Sequence, residues 1–98
     1  MVMQVCTEEQ AVQIERSVVE ILERKREAMD VSRAEWGRRA FGGDVANTQS
    51  KIQAIVGRHG GKGVPKRVSV GDLVKLSQAL EQDAAHVLSV ALFELGVR

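Results

Sequence analysis

Apolar residues recur at helical spacing along most of the chain, and the first such stretch is the longest. Residues 8–29 contain neither Gly nor Pro. Their apolar positions repeat every three or four residues and so share one helix face; these positions are Ala11, Ile14, Val18, Ile21 and Leu22. Thr7 and Gln10 have the spacing of a capping box. The pattern predicts a long first helix over residues 8–29, preceded by a flexible tail over residues 1–7.

A second helix follows after a strong start signal. Ser32 is a favoured N-cap residue, and Glu35 lies three positions later, as in a second capping box. Trp36 is predicted to face the core. The helix runs to about Phe41, because the two glycines at 42–43 are costly within a helix and free to adopt positive φ.

The third helix has a clear end and an ambiguous start. Its apolar face, Ile52, Ile55 and Val56, ends at a glycine at position 57. Asp44 as the N-cap gives a short turn at residues 42–43, whereas Asn47 as the N-cap gives a longer turn over residues 42–46. Both alternatives remain open at this point, and residues 32–57 are predicted to form a helix-turn-helix.

Residues 58–68 are predicted to be a basic loop, since they contain three glycines and the only proline. Ser69 and Asp83 are N-cap candidates for the fourth and fifth helices within residues 69–98. Apolar residues occupy nearly the whole circumference of the fifth helix, so it is either deeply buried or used for self-association. The chain, residues 1–98, is therefore predicted to be a single all-α domain of five helices with a long first helix.

Charge is unevenly distributed along the 98 residues, although the net charge is only +1. Residues 1–31 carry four basic and seven acidic groups, a net charge of −3. Residues 32–67 carry eight basic and two acidic groups (+6), and residues 68–98 carry two and four (−2). A basic centre between acidic ends indicates an anionic partner for the centre of the chain.

Composition excludes several classes of protein. Cys6 is the single cysteine, so neither an intrachain disulfide nor a cysteine-based zinc site can form. No apolar run approaches the roughly 18–20 residues of a membrane span. The first residues lack the basic start and apolar stretch of a signal peptide, so a cytoplasmic location is expected.

The ordered set of positions resembles the Cro and phage-repressor type of DNA-binding domain, also called the xenobiotic-response-element family, over about residues 18–90. Positions that match the family pattern are Leu22 with Arg26, Val31 with Ser32, Trp36 with Gly37, Ile52 with Ile55, the segment 69–80, and Asp83. Gly37 stands where the family has Ala, and Arg33 where it often has Gln. The resemblance implies a repressor-like helix-turn-helix fold, sequence-specific binding to double-stranded DNA, and transcription regulation by operator occupancy.

The resemblance makes the third helix the DNA-reading helix, which enters the major groove with its N-terminal end. Short polar side chains are suited to base contacts there; the predicted base-reading set is Asn47, Thr48, Gln49, Ser50, Lys51 and Gln53. Gln49 could pair with adenine, and Lys51 with guanine or a phosphate. The strongest base-reading candidates are Gln49 and Ser50.

Phosphate binding requires cations, because counterion release supplies much of the affinity. The resemblance places Arg33 against the sugar-phosphate backbone at the start of the second helix. The basic loop supplies the other predicted phosphate contacts, which are Arg58, Lys62, Lys66 and Arg67.

A module of this size makes few DNA contacts, so a homodimer on a palindromic site is expected. The apolar fifth helix is the predicted interface, through Val87, Val90 and Phe93. The first helix is the second choice. No cofactor is expected.

Other functions have weaker support. His59 and His86 lie far apart without a third metal ligand, and Cys6 has no neighbouring base, so neither a metal site nor an enzyme is expected. The residues 57–62 only superficially resemble a phosphate-binding loop, because the spacing is one residue short. The alternative to DNA binding is a protein-interaction module that uses the basic face for an acidic partner. An antitoxin that binds DNA and also masks a toxin would combine the two functions, with the acidic first helix as the partner surface.

Overall fold

The computed structural model describes residues 6–43, 45–57 and 66–97 and contains five α-helices. The helices are α1 (Glu8–Ala28), α2 (Arg33–Phe41), α3 (Val45–Val56), α4 (Val70–Ala79) and α5 (Ala84–Glu94). No strand occurs within the described ranges, so the prediction of an all-α, five-helix domain with a long first helix is confirmed. No helix among those residues has both the length and the apolar character needed to cross a membrane.

The helix starts follow the predicted capping signals. Thr7 and Gln10 form the complete capping box. Ser32, Ser69 and Asp83 each accept a bond from a backbone N–H of the following first turn. The predicted flexible tail is wrong at Thr7, which is fixed as the α1 N-cap, and residues 1–5 lie outside the described residues.

The turn between α2 and α3 is the shorter of the two predicted alternatives. Since α2 ends at Phe41 and α3 begins at Val45, three residues connect them. Gly42 and Gly43 have φ values of +68° and +84°, a conformation that side chains with a Cβ rarely adopt. The predicted Asp44 cap falls on a residue outside the described ranges, but the start of α3 at Val45 excludes Asn47 as the N-cap.

The hydrophobic core lies between α1, the α2–α3 pair and the α4–α5 pair. α2 packs against both α3 and α4, while α1 packs mainly along α5. Trp36 is fully buried at the centre, and its indole N–H donates to the backbone carbonyl of Leu76, 3.0 Å away. The prediction that Trp36 belongs to the core is confirmed, and this bond ties α2 to α4.

Gly37 sets the separation of α2 and α3. A Cβ atom at this position would lie 2.8 Å from the backbone oxygen of Thr48 and 2.9 Å from Cγ1 of Ile52. Contacts of that length are repulsive, and the first involves backbone, which cannot move aside as a side chain can. The glycine is therefore required by the distance between the two helices, although Gly weakens a helix by about 1 kcal/mol relative to Ala.

The substitution Gly37→Ala tests this constraint. Helix propensity alone favours alanine, but we expect a net loss of about 1–3 kcal/mol in the free energy of unfolding, because the overpacked helices must separate. Chemical denaturation measures the change.

Gly71→Ala is the matched control for this substitution. Gly71 is also helical, and a Cβ there would meet only the Ser69 hydroxyl at 3.8 Å. We expect its stability to be unchanged or slightly increased. Equal effects of the two substitutions would contradict the packing explanation.

Candidate nucleic-acid interface

The outer face of α3 carries part of the predicted base-reading set. Ser50 and Lys51 are exposed, and Gln53 is half-buried. Asn47 and Gln49 belong to α3, but their side chains lie outside the described part of the structure. The opposite face of the helix is closed by Ile52 and Ile55, which are fully buried.

Thr48 belongs to the buried face, and its predicted base contact is wrong. The residue is only 3% exposed, and its backbone oxygen faces Gly37 of α2. One helical turn before Ile52, it shares the inner side of α3. A side chain buried against α2 cannot reach a base edge while the helix pair is intact.

Arg33 lies at the start of α2, where it shares a carboxylate with an arginine of α1. Glu23 accepts bonds from Arg33 at 3.0 Å and from Arg26 at 2.9 Å. The side chains of Glu23 and Arg26 are each 13% exposed, whereas that of Arg33 is 37% exposed. The carboxylate therefore orients two guanidinium groups, of which the outer one remains accessible.

Burial is the largest influence on the Glu23 carboxyl and raises its pKa, but the bonds from Arg26 and Arg33 outweigh it and hold the pKa below its usual range. The same pairing, through the bond to Glu23, raises the pKa of Arg26. Arg26 also donates to the carbonyl of Val31, 2.7 Å away. This cluster fixes the short connection between α1 and α2, and it uses the Arg26 and Val31 positions that carry the sequence resemblance.

Two further arginines of α2 share a carboxylate in the same way. Glu35 accepts from Arg38 at 2.5 Å and from Arg39 at 3.1 Å. These bonds, led by the one from Arg38, lower the pKa of Glu35 to about 2. Glu35 was expected to reach back to the Ser32 backbone, but the arginines one turn later take up its oxygens.

Arg67 is paired with α1 rather than left free. Its guanidinium bonds to Glu8 and, at 2.6 Å, to Glu15. Glu15 also accepts from the backbone N–H of Val68 at 2.6 Å. Two carboxylates around one guanidinium leave this cluster net negative. A net negative cluster repels a phosphate, which disfavours the predicted phosphate contact by Arg67. Its position indicates a role in anchoring the segment before α4.

Lys66, in the last part of the predicted basic loop, is held against the end of α3. Lys66 donates its backbone N–H to the carbonyl of Ala54 at 2.8 Å. Arg16 of α1 donates to the carbonyls of Ile55, at 2.5 Å, and of Lys66, at 3.0 Å. Burial is the main cause of a lowered pKa for Arg16. Arg58 and Lys62 fall outside the described residues, and Lys66 is exposed.

Within the described ranges, the cationic side chains that have neither an ion pair nor a bonded carbonyl are lysines. Each arginine in the described ranges bonds to a carboxylate or to backbone carbonyls, whereas no lysine there forms an ion pair. These lysines are Lys25, Lys51, Lys66 and Lys75. Lys51 and Lys75 lie over the ring of Phe41, at 4.9 and 6.0 Å from its centroid.

The fifth helix divides into a buried and an exposed side, which corrects the predicted interface. Val87 is 2% exposed and belongs to the core, so its predicted dimer contact is wrong. Val90 is half-buried and packs against the same core. Phe93 is 86% exposed at the last turn, and Leu95 just beyond it is 41% exposed.

In comparisons with known proteins, no protein-family model, curated protein or solved structure matches this chain.

Stability is expected to depend on Glu15 at acid pH. The side-chain bond from Arg67 is the largest influence on Glu15 and lowers its pKa, with a further contribution from the Val68 N–H, against the effect of burial. A carboxyl group whose pKa is lower in the folded protein stabilises the fold above its unfolded pKa, and this contribution is lost as pH falls through the folded value. We expect Glu15→Gln to cost about 0.5–1 kcal/mol at pH 7. The difference from the unmodified protein should shrink as the pH falls through the lowered pKa of Glu15.

Denaturation curves at pH 7, 4 and 2.5 measure this difference. Glu9→Gln is the control, because Glu9 is exposed and has no ion pair within the described structure. A Glu15→Gln deficit that does not decrease as the pH is lowered would contradict the ion-pair explanation.

Proposed function

We propose that this protein is a sequence-specific, double-stranded DNA-binding protein, a transcription regulator of the phage-repressor type that acts by occupying an operator as a homodimer. One observation carries the proposal: α2 and α3 are joined by three residues and pack closely at Gly37, while the face of α3 with Ser50 and Lys51 stays open. A short glycine-containing turn between two packed helices is typical of helix-turn-helix units.

The open face of α3 suits base recognition. A reading helix enters the major groove and presents its first turns to base edges. Ser50 can bond several base edges, and a lysine such as Lys51 can bond guanine or a phosphate. Asn47 and Gln49, in the first two turns of α3, remain base-reading candidates from the sequence.

The flanking cations suit the sugar-phosphate backbone. Arg33 lies in the first turn of α2, where free backbone N–H groups and the helix dipole also favour an anion. Its bond to Glu23 holds the guanidinium in place and leaves part of it accessible. Lys66 is exposed beside the end of α3. Arg58 and Lys62 stay candidates on sequence grounds.

Selection from a random duplex pool, followed by a salt titration on the selected sequence, tests this function. We expect Lys51→Ala to lower affinity about tenfold, in line with the roughly 1–3 kcal/mol of a base contact or the loss of one phosphate contact. Lys25→Ala is the matched control, since it removes an equally exposed, unpaired lysine from α1 and should change affinity less than about twofold. Absence of duplex binding at low salt would reject the proposal.

Dimerisation is proposed through the end of α5. Phe93 is an aromatic side chain that is 86% exposed, and Leu95 extends the apolar surface. Aromatic residues are enriched at the energetic centres of interfaces. A two-fold contact through this surface brings two reading helices onto one palindromic site.

Phe93→Ser is expected to shift the protein to monomer and to weaken operator binding, because the second half-site no longer contributes. Sedimentation velocity and DNA titration report the two effects. Gln78→Ala, at an exposed position of α4 and not on the α5 face that carries Phe93, is the control and should leave the dimer intact. A monomeric unmodified protein with full operator affinity would contradict this interface.

A second candidate function is a protein-interaction module, and the same exposed Phe93 is the observation that favours it. The acidic first helix offers less support than its sequence suggested, because Glu8, Glu15 and Glu23 are all engaged in ion pairs within the chain. A stoichiometric partner that copurifies with the protein and is lost with Phe93→Ser would favour this function over a homodimer.

A further inference from the structure

Phe41 brings together two lysines from different helices. The residue ends α2, and its half-buried ring contacts Lys51 of α3 and Lys75 of α4. Both ammonium groups lie within 6.0 Å of the ring centroid, so they are no farther apart than twice that distance. The negative face of an aromatic ring attracts a cation at this range.

The arrangement differs from every arginine cluster described above. Arg33 and Arg39 each share a carboxylate with a second arginine, whereas neither Lys51 nor Lys75 has an ion pair within the described residues. Two like charges placed close together without a carboxylate repel each other. The ring attracts each ammonium group but does not neutralise its charge. The two lysines therefore keep a positive charge that can bind an anion.

The position of the pair suggests which anion it binds. Lys51 belongs to the open face of α3, so Lys75 extends that face onto α4, a helix outside the predicted interface. Lysine is a compact point charge that suits a phosphate better than it suits directional recognition of one base. Glu81 lines the same open depression as Lys75, but it forms no ion pair with it in the described structure.

We propose that Lys75 is a further phosphate-binding residue, which contacts the DNA backbone beside the contact of Lys51, and that Phe41 positions both lysines. This inference rests on the proposed DNA-binding function. It adds α4 to the proposed DNA interface. It also gives Phe41 a role in positioning two cations, in addition to its hydrophobic packing.

The test is a salt titration of Lys75→Ala on two duplexes, the selected operator and an unrelated sequence. Because a phosphate contact carries no sequence information, we expect both affinities to fall by a similar factor, about three- to tenfold at low salt. The slope of log affinity against log salt should decrease in magnitude by about 0.9, the value for one phosphate contact. Lys25→Ala should leave both affinities and the slope unchanged.

The two possible failures are distinguishable. If the unmodified protein binds duplex DNA and Lys75→Ala behaves like Lys25→Ala, the inference about Lys75 is overturned and the proposed function stands. If the unmodified protein binds no duplex DNA, the proposed function fails and this inference fails with it. Loss of affinity for the operator alone would assign Lys75 to sequence reading and would also overturn the phosphate role.

Phe41→Leu tests the positioning role, because leucine keeps an apolar side chain but has no ring face. We expect the ring-current shifts of the Lys51 and Lys75 ε-methylene protons to disappear and duplex affinity to fall. In the Lys51→Ala/Lys75→Ala background, Phe41→Leu should have no further effect on affinity. An equal loss in both backgrounds would show that Phe41 acts only through packing. Should Phe41→Leu not fold, the Lys75→Ala titration alone decides the phosphate contact.

Discussion

The close approach of α2 and α3 at Gly37 is the constraint on which the candidate interface depends. It turns the inner side of α3 toward α2, which buries Thr48 and Ile52. It thereby determines which side of α3 remains open, because the positions of a helix are fixed relative to one another. Trp36 directly precedes Gly37 and links the α2–α3 pair to α4, because its indole N–H donates to the Leu76 carbonyl. The orientation of α3 therefore follows from a glycine and a buried indole.

Ion pairs decide what the central positive charge can do. The eight basic residues of positions 32–67 suggested a broad cationic surface. Arg38 and Arg39 instead share Glu35, and Arg67 lies between two carboxylates of α1. The first cluster lies within α2, whereas Arg67 links the segment before α4 to α1, since a guanidinium can bond several acceptors at once. Among the residues that the structure describes, the cations without an ion pair or a bonded carbonyl are lysines, and two of these converge on Phe41 from different helices.

α1 is the scaffold for both ends of the helix pair, a role that its sequence pattern did not reveal. Glu23 and Arg26 hold the start of α2, while Glu15 and Arg16 hold the chain after α3. The sequence pattern of α1 predicts only that these residues form a solvent-exposed polar face, because helical periodicity depends on residues that are close together in the chain. Their partners lie up to 53 positions away and become neighbours only in the folded chain.

The sequence by itself determined the five helices and four of their N-caps, Thr7, Ser32, Ser69 and Asp83, because periodicity and capping are local properties of the chain. It also placed the predicted base-reading residues on one helix, although it could not distinguish the buried Thr48 from the exposed Ser50. Only the tertiary structure decided which face of α3 is open, that Val87 is core while Phe93 is exposed, and that Arg67 binds α1. These are consequences of packing between distant segments, which fixes burial and charge partners that local spacing cannot specify.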